Sequence, residues 1–402
     1  MAEVVPFKGL YYNLDRVGEI GKVATPPYDV ITPEMRQGFL QRHPYNIVRL
    51  ILPASPEEAG ETFGRWLQEG IFLQDELPSI YPYEQIFHHP GDGRRLERWG
   101  FVALVRLEDG AVIGHERTSE KVVEERLKLL EATGAQMGQV LGLFSDPEGE
   151  AGALLREATQ KSPRFEFTDD EGVVHRLWQV SEPRLVEALT LRLRGQRLLI
   201  ADGHHRYATA WRFRQLQRRR HPDAPEDAPF EFVAMYLTPL EAEGLVILPA
   251  HRLFKLPSDE VASEIWGRIE EYCRIRTVSG PADLLQALSR GQGIGLASKR
   301  GFFLLLPRDG GPLRGPLQEI DAALVDEVLV GGLGLEPVFT RDPEEALKGV
   351  EEAKFDMAFL LRPPRMQDVK RAVETGLLMP KKSTYFYPKV ATGLVIYPVS
   401  RL

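Results

Sequence analysis

Residues 198–210 read LLIADGHHRYATA. A short apolar run, Leu198 to Ala201, ends in an acid and a glycine, and an alanine-rich helical pattern follows at once. That order predicts a buried strand that turns directly into a helix running from about His204 to Arg220. Gly203 supplies the backbone freedom that such a tight turn demands. The first turn of the new helix offers amide N–H groups and the positive end of its dipole, which suits an anion such as phosphate. Arg206 adds a planar guanidinium. His204 and His205 can donate to phosphate oxygens or carry a proton, and Asp202 can orient a hydroxyl or hold Mg²⁺. A plain helix cap would account for Asp202 but leaves the three following polar groups unexplained. His204 and His205 are consecutive, so they point roughly 100° apart on a helix and do not form a zinc pair.

Outward from this stretch, helices and strands alternate along the whole chain, which gives a mixed α/β (α+β) fold class. Thr32-Pro33-Glu34 and Ser55-Pro56-Glu57 are helix starts, with Phe63, Trp66 and Leu67 on one face of the second helix. YPYEQIFHH and RWGFVALVRL, joined through PGDG, read as a β-hairpin. A helix is expected over about 119–133 with Val122, Leu127 and Leu130 in its buried stripe. Ser258 caps a helix expected to run to about Arg274. Soft composition shifts near 150 and 250 suggest three regions. These are 1–150, α/β; 151–257, central, with the DGHHR turn; and 258–402, α/β.

Four further polar segments stand out. KVATPPYDVIT (22–32) displays Tyr28 and Asp29 on a loop stiffened by two prolines. IGHERTSEKVVEERL (113–127) sets His115, Glu116, Arg117 and Thr118 before a helix, where Glu116 suits a general base; a capped helix start explains the same pattern. LPAHRLF (248–254) places His251 and Arg252 after a strand. MPKKSTYFYPKVATGLV (379–395) holds Lys381, Lys382, Ser383, Thr384 and Lys389 among aromatics, a set able to close over phosphate; a solvated loop packed by its aromatics is the alternative.

Composition narrows the field. The chain has 402 residues and a net charge of −8, with no overall basic field for a nucleic-acid backbone. Cys273 is the sole cysteine, which excludes an internal disulfide and any multi-cysteine zinc site; within an amphipathic helical pattern it reads as a packing residue. No stretch approaches the roughly 18 apolar residues of a membrane span and no leader pattern opens the chain, so a cytoplasmic location is expected. The P-loop, G-x-S-x-G and H-E-x-x-H patterns do not occur, and neither GIGLAS nor GGLGL has dinucleotide-binding spacing.

Taken together, ATPPYDVI (24–31), GHERT (114–118), ADGHHRYATA (201–210), LPAHRLF (248–254) and KSTYFYPKVATGLV (382–395) resemble the hallmark segments of the family catalogued as domain of unknown function 1015. That family name supplies no activity. More remotely, DGHHR at a strand-to-helix turn is similar to the phosphate-binding turn of the ParB/sulfiredoxin-like superfamily, which implies a ParB-like central segment with α/β flanks. Sulfiredoxin chemistry needs a cysteine at this turn, and none is here. Similarity to the free-serine kinases of that superfamily implies a Mg²⁺-dependent phosphotransferase. Its substrate would be a small hydroxylated metabolite such as free L-serine, with ATP, ADP or pyrophosphate as donor. On that likeness Glu116, Asp202 and His204 are catalytic, with Asp202 also the Mg²⁺ ligand. Gly203, His205, Arg206, His115, Arg117, Thr118, Tyr28, Asp29, His251, Arg252, Lys382, Ser383, Thr384 and Lys389 line the phosphate and substrate. Two alternatives stay open: a phosphate-ester hydrolase such as a phosphoserine phosphatase, and a ParB-like nucleotide-binding regulatory module.

Overall fold

Long runs of β-branched and aromatic residues, apolar on both faces, build the main sheet. Strand Arg95–Arg106 is buried from Gly100 to Val105 without alternation, the signature of a strand covered on both sides. In this computed structural model, which describes residues 1–399, it lies inside a nine-stranded mixed sheet. From one edge the order is Val112–Ile113, Leu198–Asp202, Val140–Phe144, Phe232–Pro239, Arg95–Arg106, Tyr81–His88, Val174–Leu177 and Phe165–Thr168, with Val4–Val5 also pairing Arg95–Arg106. Two of its ladders are parallel: Leu198–Asp202 on Val112–Ile113, and Phe232–Pro239 on Val140–Phe144. Phe101, Ala103 and Val105 meet Met235, Leu237, Leu189 and Ala210 in the core of one face.

The chain divides into two units. One comprises residues 1–114, 118–246 and 388–402, and the other 115–117 and 247–387. The nine-stranded sheet draws strands from both sides of residue 150, and the chain changes unit at Ile247. The second unit is a six-stranded antiparallel sheet, in the order Cys273–Val278, Gly301–Pro307, Ile294–Ser298, Met357–Leu360, His251–Phe254, Val338–Thr340. Helices Pro281–Ser289 and Pro343–Glu351 pack on it through Leu284, Ala287, Ala346 and Leu347.

The helix starts follow their caps: Thr32 Oγ1 accepts from Met35 N and Ser55 Oγ from Glu58 N, each at 3.2 Å. The helix capped by Ser258 ends at Tyr272, earlier than expected, and Cys273 opens an edge strand. Cys273 is buried, and burial pushes its thiol up to about 11, so it packs rather than reacts. In helix Glu120–Thr133 the buried positions are Val123, Leu127, Leu130 and Thr133, with Val122 only half-buried. No helix among the described residues is long and apolar enough to cross a membrane.

Candidate anion-binding turn

The strand Leu198–Asp202 does not run straight into its turn. Its register against Val140–Phe144 slips between Ile200, opposite Gly142, and Asp202, opposite Leu141. Such a bulge adds a residue on one strand and re-aims the side chain that follows it. Gly203 then adopts φ +91° and forms the N-cap of helix His204–Arg220. A side chain here would be strained by that φ, and its Cβ would stand 3.0 Å from Cζ and Nε of Arg206. The backbone therefore calls for glycine, and the guanidinium lies against its bare Cα.

Asp202 is held between two cations. Arg206 Nη2 donates to Oδ2 at 2.9 Å and Lys389 Nζ to Oδ1 at 3.3 Å. Arg206 Nη1 also donates to the carbonyl of Gln139. All three charged side chains are mostly sequestered, at 17%, 13% and 11% exposure for Asp202, Arg206 and Lys389. Arg206 and Lys389 thus flank Asp202 beside a helix N-terminus, whose amides and dipole favour an anion.

Buried polar groups of the sheet set the position of Lys389. Arg98, fully buried, donates to the carbonyl of Pro388 and through Nε to Gln85 Oε1 at 3.1 Å. Gln85 Nε2 donates to the carbonyl of Lys389 at 2.8 Å. Ala391 N donates to the Tyr83 hydroxyl, which also bonds His175 Nδ1 at 2.6 Å, and His175 Nε2 meets Asp169 Oδ2 at 3.0 Å. Thr392 and Thr25 exchange backbone hydrogen bonds, 2.7 and 3.2 Å long, which brings the double-proline segment alongside. The unit therefore gathers three of the sequence-selected segments: PPYD, DGHHR and PKVATG. Tyr28 is half-buried with the Arg126 guanidinium 4.3 Å from its ring centroid; burial, with the Asp29 charge, pushes its phenol up to about 12, so it stays a neutral donor. Asp29 is exposed.

The two histidines of the turn differ. His204 is buried, and a Cβ added at Gly114 would lie 3.0 Å from its Cδ2. His205 Nε2 accepts from the backbone N–H of Ser119 at 3.0 Å. That nitrogen therefore serves the start of helix Glu120–Thr133, whose own Ser119 makes no side-chain cap, and it is not a donor toward phosphate. Thr118 is half-buried in the same unit.

The remaining sequence-selected residues belong to the second unit. His115 is fully buried, its Nε2 is 3.0 Å from Thr384 Oγ1, and its carbonyl accepts from Met379 N. Glu116 forms a parallel bridge with Met379, and Arg117 is exposed. Ser383 Oγ donates to the Pro380 carbonyl at 2.7 Å, so both hydroxyls of the KKST loop turn inward. Arg252 is fully buried and fully engaged. Nε and Nη2 bond Asp326 at 3.3 and 3.0 Å, Nη2 also reaches the Lys381 carbonyl at 3.2 Å, and Nη1 reaches the Lys382 carbonyl at 3.2 Å and that of Ala250. These five bonds use the five N–H groups of a guanidinium, so Arg252 pins the loop and has no donor for phosphate. His251 Nδ1 accepts from Leu361 N at 3.1 Å; burial pulls its pKa down to about 4, so it is neutral at neutral pH.

Sequence reading passed over Arg98 and Arg126. Both carry a usable signal: Arg98 shares a strand face with Leu96 by the period of two, and Arg126 lies three residues after Val123 and four before Leu130. As for metal, no group of three or more His, Cys, Asp or Glu able to hold an ion occurs among the described residues. Each Asp202 oxygen already faces a cation. The set does not fit a resident Mg²⁺; a divalent ion would come with the phosphates of a donor, as Mg²⁺ commonly does.

Fold and turn together define a mixed α/β protein with a basic strand–turn–helix site. Residues 4–326 match the family described as "Protein of unknown function (DUF1015)", and the chain belongs to that family. No curated protein matches it. Among solved structures it is similar to a free serine kinase in complex with AMP, at 16% identity and TM-score 0.40, over 73% of this chain and 92% of that one. It is also similar to a conserved hypothetical protein from Pyrococcus furiosus, at 15% and 0.39, over 73% and 95%. A third is SbnI with C-terminal truncation from Staphylococcus aureus, at 11% and 0.38, over 72% and 84%.

Proposed function

We propose that this protein is a phosphotransferase that seats the phosphoryl group of a nucleotide or pyrophosphate at the Asp202–Arg206 turn. The acceptor is the hydroxyl of a small metabolite, with free L-serine the first candidate. The observation that carries this reading is the pairing of Asp202 with both Arg206 and Lys389 at the head of a helix that begins on Gly203. Arg206 and Lys389 neutralise charge on the transferring group, and the first-turn amides of the helix add to that field. Asp202 fixes both cations in place. Such catalysis rests on positioning and charge, with no covalent intermediate required. In the balanced step the acceptor oxygen bonds phosphorus, the donor phosphoanhydride P–O bond breaks, and the acceptor proton leaves to a base. Mg²⁺, where used, enters as part of the donor complex and not on a protein cage.

The experiment is ³¹P NMR of the purified protein with Mg²⁺, one of ATP, ADP or pyrophosphate, and L-serine or another hydroxylated metabolite. A new phosphomonoester signal that requires both donor and acceptor is expected. It should vanish in Asp202→Asn while the melting temperature stays within about 4 °C, the shift that about 1–2 kcal/mol gives in a domain of this size. Orthophosphate release without an acceptor product would turn the reading into a hydrolase, and no turnover with any donor would overturn it.

A further inference from the structure

Beside the turn, and inside the same unit, is a pocket of about 100 Å³. Its walls are apolar, built from Leu129, Leu130, Val140 and Val233, and Tyr28 stands at its side. Two arginines, Arg126 and Arg206, also line it, and no aspartate or glutamate does. Arg126 donates from Nη1 to the Ile51 carbonyl at 2.7 Å and its Cζ lies 4.3 Å from the Tyr28 ring centroid; its Nε is sealed from solvent and so lies away from the pocket space. A guanidinium with donors unspent in an apolar wall is costly unless something anionic completes it. Tyr28, neutral with its pKa pushed up to about 12, adds a hydroxyl and no competing charge.

From this geometry we propose that the pocket is a binding site for a small organic monoanion: a compact aliphatic carboxylate whose acid group meets Arg126 and Arg206 and whose body fills the apolar walls. The volume matches a body of a few carbon atoms, since a cavity of about 150 Å³ holds a benzene ring. A carboxylate matches the planar fork of arginine. An α-amino acid matches less well, because its ammonium would face two arginines and none of the residues lining the pocket is an acid. Free L-serine, zwitterionic and without an apolar body, is therefore a poor match for this pocket. The site stands independently of phosphoryl transfer, although Arg206 is common to both.

Three probes of one shape test the proposal by isothermal titration calorimetry on the full chain, with no nucleotide present: 4-methylpentanoate, its amide 4-methylpentanamide, and L-leucine. The acid should bind at least tenfold more tightly than either of the others, and Arg126→Gln should weaken it at least tenfold, with Arg126→Lys in between. Equal binding of the amide or of leucine would overturn the proposal. So would no binding of the acid up to about 20 mM, a concentration well above the weak millimolar affinities of small fragments. The probe comparison needs no variant, so a folding defect in Arg126→Gln cannot rescue or sink it. Because no phosphate compound is used, failure here leaves the phosphotransferase reading standing, and the reverse also holds.

Discussion

Arg206 and Arg252 look alike in the sequence, each preceded by a histidine and each shortly after an apolar run. In three dimensions they differ in how they spend their donors. Arg252 commits all five N–H groups, to Asp326 and to the carbonyls of Ala250, Lys381 and Lys382. Arg206 has two such bonds, to Gln139 and Asp202, and keeps donors available for a ligand. A saturated buried arginine is a structural pin, and an arginine with donors in reserve beside a second cation is a binding group. The KKST loop that reads as a phosphate clamp is held by its carbonyls and hydroxyls as a packed element, whereas at the DGHHR turn Arg206 makes two bonds where Arg252 makes five.

The largest effect should come from Arg252→Ala. It removes every one of those bonds and leaves Asp326 without its guanidinium, a loss of about 3–5 kcal/mol for breaking a buried pair. Urea denaturation should show that loss, while pyrophosphate affinity of the folded variant stays unchanged. Weakened anion binding without a stability loss would place Arg252 on the ligand side of the comparison.

Next is the pH dependence carried by its neighbour. The His251 pKa is about 4 in the folded chain, against an ordinary value of 6.5, because burial disfavours the imidazolium. Below the ordinary value the unfolded chain takes up a proton that the folded chain refuses. Stability is thus fully present above pH about 6.5 and is lost as pH falls toward about 4, by roughly 3 kcal/mol across that window. His251→Asn should flatten this part of the stability–pH curve. An unchanged slope would show that other groups carry it.

The smallest effect belongs to Lys381→Ala. This exposed side chain contributes to the pin only through its backbone carbonyl, so stability should move by less than about 0.5 kcal/mol and anion affinity should not move at all. A several-fold fall in phosphate affinity would restore the loop as an anion contact.

Much of this organisation was legible in the sequence. Thr32, Ser55 and Ser258 announce their helices because an N-cap is a local chemical event. The strand ending at Asp202 and the helix starting at His204 fall where the apolar run and Gly203 put them. What escaped depends on partners far along the chain. The bulge between Ile200 and Asp202 arises from pairing with residues 141–142. The placement of Lys389 rests on Arg98 and Gln85, some 300 residues earlier by chain, and the capping use of His205 on Ser119. The helix end at Tyr272 was missed because Cys273 joins a ladder with Pro307, a contact that periodicity does not contain. Residue types identified capable groups; the distribution of their hydrogen bonds decided which of them still has capacity for a ligand.

The central claim, that the Asp202–Arg206 turn is an anion site, is tested most directly by calorimetric titration of pyrophosphate into the wild-type chain and Arg206→Ala. Saturable binding to the wild type, weakened at least tenfold in Arg206→Ala (about 1.4 kcal/mol), is the predicted result. Equal affinity in both proteins, or no binding to the wild type, would contradict it.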